Sequence, residues 1–309
     1  CSILYNLLLS RQDDRPFLLP ANICPIVPIT FLKARRPFQL VDVAPPGWTL
    51  DARQCLDLAP GAAGVLFVRA YGAEHQDPGT LFRALKEQRP DLLVIDDRCL
   101  SRPDVDGERL CPWADVSLYS TGRRKHVDLG YGGFAHLALG VPYRRHSAGF
   151  RQDQLDAVEA RYLEALERRE PFTGGDEEWL DMALPDEPWP HYRERVLDTL
   201  AAVDEQKRRL NAIYAAEIPE EARLPAAFQG WRFHVLVPEP DALADRLFAG
   251  GLFASRHYQP LAGVFGEGPF PHAEALHARV VNLFNDFYFD EERARRAAGL
   301  VREHLAGRG

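Results

Sequence analysis

Lys125 stands in a basic turn, DVSLYSTGRRKHVDLGYGG (115–133), that leaves a half-apolar run and ends in paired glycines. An amine in such a place can add to a carbonyl carbon or carry a proton. The chain has only four lysines in 309 residues (Lys33, Lys86, Lys125, Lys207), and its other basic residues are all arginine. Upstream, Asp96 and Asp97 close the apolar run LLVIDD (92–97). A carboxylate at the end of a buried strand costs free energy unless a cation or hydrogen-bond donor meets it. Plainer readings stand beside these. Either Asp serves as a helix N-cap or a loop ion pair, and Ser120 and Thr121 as turn formers. Lys125 is then a solvated charge. Arg123 and Arg124 are a wet basic turn, or charges that lower the lysine pKa or meet an anionic substrate.

The elements that must position these residues alternate along the first half. FLLP (17–20), FQLVDV (38–43), GVLFVRAYG (64–72), LLVIDD (92–97), DVSLYS (115–120) and GGFAHLAL (132–139) read as strands. ICPIVPITFLKA (23–34) and GTLFRALKEQ (79–88) read as helices. Apolar strands separated by helices predict a mostly parallel sheet covered on both faces, with ligands at the carboxyl ends of the strands. Residues 151–215 turn charged and helix-periodic, which predicts long half-exposed helices joined by the Pro-, Gly- and Asp-rich stretch 170–190. From about 225 the alternation returns: strands at 231–238 and 280–286, helices at 241–251 and 290–307. The expected fold class is α/β. A large three-layer α/β/α domain over 1–215 includes the long helices, and a smaller α+β domain covers 225–309.

Composition narrows the function classes. A net charge of −8 argues against a general nucleic-acid binder. The five cysteines, Cys1, Cys24, Cys55, Cys99 and Cys111, are odd in number and scattered, without a CxxC. Neither a disulfide framework nor a metal site is expected, and a reducing cytoplasm fits. No apolar run reaches membrane-spanning length, and no secretory leader opens the chain. The start at Cys1 without Met suggests that upstream residues are missing.

Taken together, VIDDRC, DVSLYSTGRRK and LGYGGFA resemble the core of the DegT-type aminotransferases. These are pyridoxal-phosphate (PLP) enzymes of the aspartate-aminotransferase fold, many acting on keto-sugars attached to nucleotides. The family pattern of Asp, then Ser-x-x-x-x-Lys, then Gly-x-Gly-Gly appears as Asp97, Ser120, Lys125, Gly130, Gly132 and Gly133. FLLPANICPIVPITFLKARRPFQLVDV, VRAYG and GLFASRHYQPL (251–261) are similar to further family segments, so the likeness touches about three quarters of the chain. It is weakest between 140 and 225.

The resemblance implies roles. Lys125 would hold the cofactor as an imine and move a proton, with its amine pointing into a closed pocket. Asp97 would face the pyridine nitrogen and Ser120 the phosphate, Asp96 taking the place of the acidic neighbour. Cys24 falls where the family stacks an aromatic residue on the ring. Arg256, His257 and Tyr258 would line the substrate entrance, or only pack the small domain against the large one. His126 reads as a neighbour; the family's dehydratase branch carries His in place of the lysine, so the Lys favours transamination. An amino-acid donor, a keto-sugar or similar small carbonyl acceptor, and a homodimer with shared sites follow as expectations.

The chain also departs from the pattern. Leu100 stands where Gln or His is usual, and Tyr131 where an acid is usual inside the glycine motif. The phosphate loop before SILYNLL is missing, and the partner-subunit Asn-x-Arg is not recognisable in 141–154. These losses allow a competing reading, a catalytically degenerate dimer that binds or regulates.

Overall fold

The computed structural model describes residues 1–74, 77–183 and 187–307. The chain opens with α1 (Ser2–Leu9), β1 (Phe17–Pro20), α2 (Ile26–Lys33) and β2 (Phe38–Val41). A small ribbon of β3 (Val43–Ala44) and β4 (Thr49–Leu50) leads to α3 (Ala52–Leu58), whose first turn is capped by the Asp51 carboxylate accepting from Gln54 N–H. Then come β5 (Gly64–Val68), α4 (Gly79–Gln88), β6 (Leu93–Asp97), β7 (Val116–Ser120) and β8 (Gly133–Leu137). The order across the sheet is β2-β1-β5-β6-β7-β8, and every pair is parallel except β7 with β8.

The α/β reading therefore holds, with two corrections. The run 64–72 is not one strand: β5 stops at Val68, and Ala70–Gly72 form a tight turn with Tyr71 left-handed at φ 52°. Gly72 continues the turn at φ 76°, and a Cβ there would lie 2.3 Å from the Leu100 carbonyl oxygen, so only glycine fits. The run 132–139 is a strand, but it returns antiparallel along the sheet edge.

Residues alternate between the two faces of each strand. Phe17, Leu19, Leu66, Leu93, Ile95, Val116 and Leu118 face α1 and α2 and form one core. Leu18, Val65, Phe67 and Val94 form a second core with Phe82 and Leu85 of α4. Since successive residues alternate, Asp97 belongs to the α1/α2 face and Asp96 to the α4 face. Ser120, two residues beyond Leu118, lies on the same face as Asp97.

Two long helices follow, α5 (Gln152–Arg168) and α6 (Trp189–Glu217). Tyr192, Val196 and Leu200 of α6 pack against Tyr119 and Phe134 of the main sheet. Leu210 and Tyr214 of the same helix pack into a separate core further on. That core is built by β9 (Phe233–Leu236), α7 (Pro240–Ala249), β10 (Ala254–Ser255), α8 (Pro271–His277), β11 (Val280–Leu283) and α9 (Glu291–Ala306). The three strands are antiparallel in the order β10-β11-β9. Phe233, Val235, Val281, Leu283 and Ala254 face the helices. His234, Asn282 and Ser255 are cross-strand partners on the other face, which is turned toward the main sheet. Tyr71 meets it there: its ring lies 4.0 Å from that of His234, and its hydroxyl donates to the His257 carbonyl at 2.9 Å.

Candidate active site

The carboxyl end of β6 carries two carboxylates with opposite fates. Asp96 is fully buried and accepts a two-pronged bond from Arg69, at 2.9 Å from Nε and 2.8 Å from Nη2. Asp97, on the other face, accepts from the Cys99 amide at 2.9 Å and has no cationic side chain within ion-pair distance. One acid is thus neutralised inside the protein, and its neighbour is left to meet something else.

What surrounds Asp97 is consistent across several groups. Burial pushes the Cys99 thiol well up, the Asp97 charge adds to the shift, and the Lys125 ammonium opposes it. Burial likewise raises the Cys24 thiol, while Lys125 pulls it down. Tyr258 is pushed well above its ordinary value by burial, with Cys24 and Asp97 adding to the shift. The His257 ring is driven down to about 3 by burial first, then by Arg232 and, more weakly, by Lys125 and Arg124. Asp97, Lys125, Cys24, Cys99, His257 and Tyr258 therefore share one electrostatic neighbourhood, bordered by the start of α1 at Cys1.

Lys125 is held there by its backbone. Asp128 accepts from the Arg124 and Gly130 amides at 2.7 and 2.8 Å, closing the turn. Trp231, beside β9, donates its indole N–H to the Arg124 carbonyl at 2.8 Å and ties the turn to the smaller unit. Arg124 itself takes a left-handed φ of 62°. The Lys125 ammonium has no hydrogen bond or ion pair among the described residues. It is half-buried at the rim of the cleft, not enclosed, because a turn beyond the last turn of the sheet cannot be covered on all sides by this one chain.

The hydroxyls divide as the carboxylates do. Thr121 is buried and used up, donating to the Tyr131 carbonyl at 2.7 Å and bonding the Tyr192 hydroxyl at 2.5 Å. Gly132 lies against that pair at φ 86°, where a Cβ would fall 2.9 Å from the Tyr192 hydroxyl. Ser120 is half-buried and accepts only a 3.3 Å contact from the Gly122 amide.

Not every sequence-predicted residue joins the cluster. Arg256 is bound to Asp241 and to the His277 carbonyl, which ties it to α7 and α8. His257 and Tyr258 do join it, packed edge-on at 4.9 Å. His126 turns inward, 3.0 Å from Asp204 of α6, and burial drives it down to about 4, so it is a neutral packing residue. Leu100 is buried with Tyr71 and Trp231. Tyr131 is exposed and donates to Glu187. Neither of these two faces Asp97. Cys99 and Arg232 were not singled out from sequence. Cys99 has a local signal, two residues past Asp97; Arg232 has none.

A second polar hollow of about 290 Å³ lies on the opposite face, lined by Arg69, Glu74, Arg98 and Arg109 among others. Its charges are paired, Arg98 and Arg109 both to Glu74. Among the described residues no cluster of His, Cys, Asp and Glu has metal-holding geometry, and no helix is long and apolar enough to cross a membrane.

This architecture has counterparts among solved structures. A candidate sugar aminotransferase of Streptococcus pneumoniae in its PLP form superposes with a TM-score of 0.72 at 14% identity, over 99% of this chain and 86% of that one. DesI, solved in the presence of its TDP-sugar product, gives 0.70 at 18% identity, over 99% and 80%. The chain has the fold of the DegT-type sugar aminotransferases. A DegT/DnrJ/EryC1/StrS aminotransferase from Brucella abortus gives 0.63 at 17% identity, over 98% and 84%. No family model and no curated protein matches the chain in sequence. The likeness thus lives in the order of elements and in a few residues at strand ends.

Proposed function

We propose that the protein is a pyridoxal-phosphate-dependent aminotransferase that moves an amino group from an amino-acid donor to a keto-sugar or similar small carbonyl acceptor. The observation that carries this reading is the asymmetry at the end of β6. Asp97 has no internal cation, faces the same cleft as an unpartnered lysine amine, and stands one strand from a free serine hydroxyl.

The residues present fit the cofactor. Asp97 supplies a carboxylate to face a protonated pyridine nitrogen, Ser120 a donor for phosphate, and Lys125 the amine that bonds the aldehyde. When bound, pyridoxal phosphate supplies an electron sink for the bond-breaking at the substrate carbon. This chain's part is to bind and orient. The Asp128-closed turn holds the amine at the rim, where it can take a proton from the donor's α-carbon and return it. Cys24 and Tyr258 shield the cleft beside Asp97 from water. Arg123 and Arg124, exposed on the same turn, give the rim a positive potential suited to a nucleotide-linked acceptor. A second copy of the chain is the partner of this reading; exposed Leu139 and Phe150 on the extended stretch 138–151 offer apolar surface for it.

The test is spectroscopic. Purified protein incubated with pyridoxal phosphate is expected to turn yellow, to be bleached by borohydride, and to give pyridoxamine phosphate with glutamate. Lys125→Ala is expected to abolish the colour. A folded wild-type protein that stays colourless would leave only a binding or regulatory role for the fold.

A further inference from the structure

The polar face of the small sheet holds a cation that nothing in the chain answers. Arg232, just ahead of β9, is 2% exposed. Its guanidinium lies between two aromatic rings, 4.3 Å from Trp231 and 4.0 Å from Phe284. Nη1 donates to the Ser255 hydroxyl, and Nε is buried with no partner among the described residues. No carboxylate lies within ion-pair distance of it; Asp286 is the acid that acts on it, from further off. Lys207, also buried, adds a second cation, its ammonium bonded only to the Trp231 carbonyl at 2.6 Å and the Asn285 amide oxygen at 2.9 Å.

A buried guanidinium without a counter-charge is expensive, and native proteins rarely leave one unmatched. A second orphan points the same way. Asn282 accepts from Ser255 at 3.1 Å and from the His257 amide at 2.7 Å, but its Nδ2 is buried and donates to nothing described. Nε of Arg232 and Nδ2 of Asn282 are donors on one sheet face. That face is joined through Ser255 to His257, and His257 neighbours Tyr258 and Lys125.

We propose that Arg232 and Asn282 form a carboxylate subsite, which takes the carboxylate of the amino donor while its amine meets Lys125. This rests on the aminotransferase reading for the owner of the carboxylate, but the subsite itself does not depend on it. A planar guanidinium already flattened between two rings presents its remaining N–H edge in the orientation a carboxylate requires.

The test titrates glutarate into protein loaded with pyridoxal phosphate and follows binding by calorimetry. Arg232→Gln is expected to raise the glutarate Kd by about 10- to 100-fold, the range for a lost charge-assisted contact. Arg232→Lys should fall between, and the absorbance of bound cofactor should not change in either. Arg232→Gln that melts like wild type and binds glutarate equally well would overturn the proposal. Should Arg232→Gln fail to fold, Asn282→Asp is the second variant. It places a carboxylate one hydroxyl away from the guanidinium, so it should melt higher than wild type and lose glutarate binding. An Asn282→Asp protein that still binds glutarate at the wild-type Kd would also overturn the proposal. Glutarate that binds through Arg232 in a protein that never takes the cofactor would sink the aminotransferase reading and leave the subsite standing. Cofactor attachment with Arg232-independent glutarate binding would do the reverse.

Discussion

The two faces of the main sheet, compared at the end of the same strand, differ in what they do with charge. On the α4 face every charged group near the end of β6 is answered from within: Asp96 by Arg69, and Arg98 and Arg109 by Glu74. On the α1/α2 face, Asp97 has an amide donor but no cation, Lys125 has no partner, and the thiols of Cys24 and Cys99 are only perturbed by both. Adjacent residues of one chain thus sit in a finished ion pair and in an unfinished one. A protein bears the cost of an unfinished arrangement where a ligand completes it, so the contrast marks the site better than any single residue does.

The largest expected effect breaks the finished side. Asp96→Ala leaves the Arg69 guanidinium without its counter-charge in the core and should cost about 3–5 kcal/mol of stability, read by urea denaturation. Asp97→Ala removes a carboxylate with no ion pair to lose. It should cost less than about 1 kcal/mol, within the ordinary range for a substitution that breaks no buried pair, yet abolish cofactor binding. Equal losses of stability would erase the distinction between the faces.

A smaller effect is set by pH. His126, next to Lys125 but turned into α6, is held neutral by burial with its pKa down at about 4, against an ordinary value of 6.5. Between those two values the unfolded chain takes up a proton that the folded chain refuses, so stability falls as pH drops through that window and levels off below it. His126→Gln should flatten this part of a melting-temperature profile. A profile as steep as that of wild type would place the titration elsewhere.

The smallest effects separate the two hydroxyls. Thr121→Val strands the Tyr192 hydroxyl and should cost about 1–3 kcal/mol. Ser120→Ala should change stability by under about 0.5 kcal/mol while weakening cofactor affinity. Equal stability losses would show that Ser120 is also a packing residue.

These contrasts explain how much the sequence disclosed. The alternation of apolar strands and helices yields the α/β layers because a buried parallel sheet leaves a near-continuous apolar run in each strand. Asp97 could be preferred over Asp96 only by register with the family motif; that the two face opposite sides follows from strand alternation, but the Arg69 partner is 27 residues away and invisible locally. The edge strand 133–137 gave no hint of its direction, because antiparallel and parallel strands share a side-chain period. The break after Val68 depends on Gly72 meeting Leu100, a contact between distant segments. Arg256 read as a site residue from the motif around it, yet its partners Asp241 and His277 come from helices on either side. Arg232 is one arginine among many in the sequence. Its isolation arises only when β9, β10 and β11 assemble and bury it without an acid.

The central claim is that the open face of the sheet completes itself by bonding an aldehyde cofactor at one amine. Mass spectrometry of peptides after loading with pyridoxal phosphate and reduction with borohydride tests it most directly. The account predicts a single modified residue, Lys125, with Lys33, Lys86 and Lys207 untouched and the modification lost in Asp97→Ala. Label spread across the four lysines, or a label at Lys125 that is indifferent to Asp97, would contradict it.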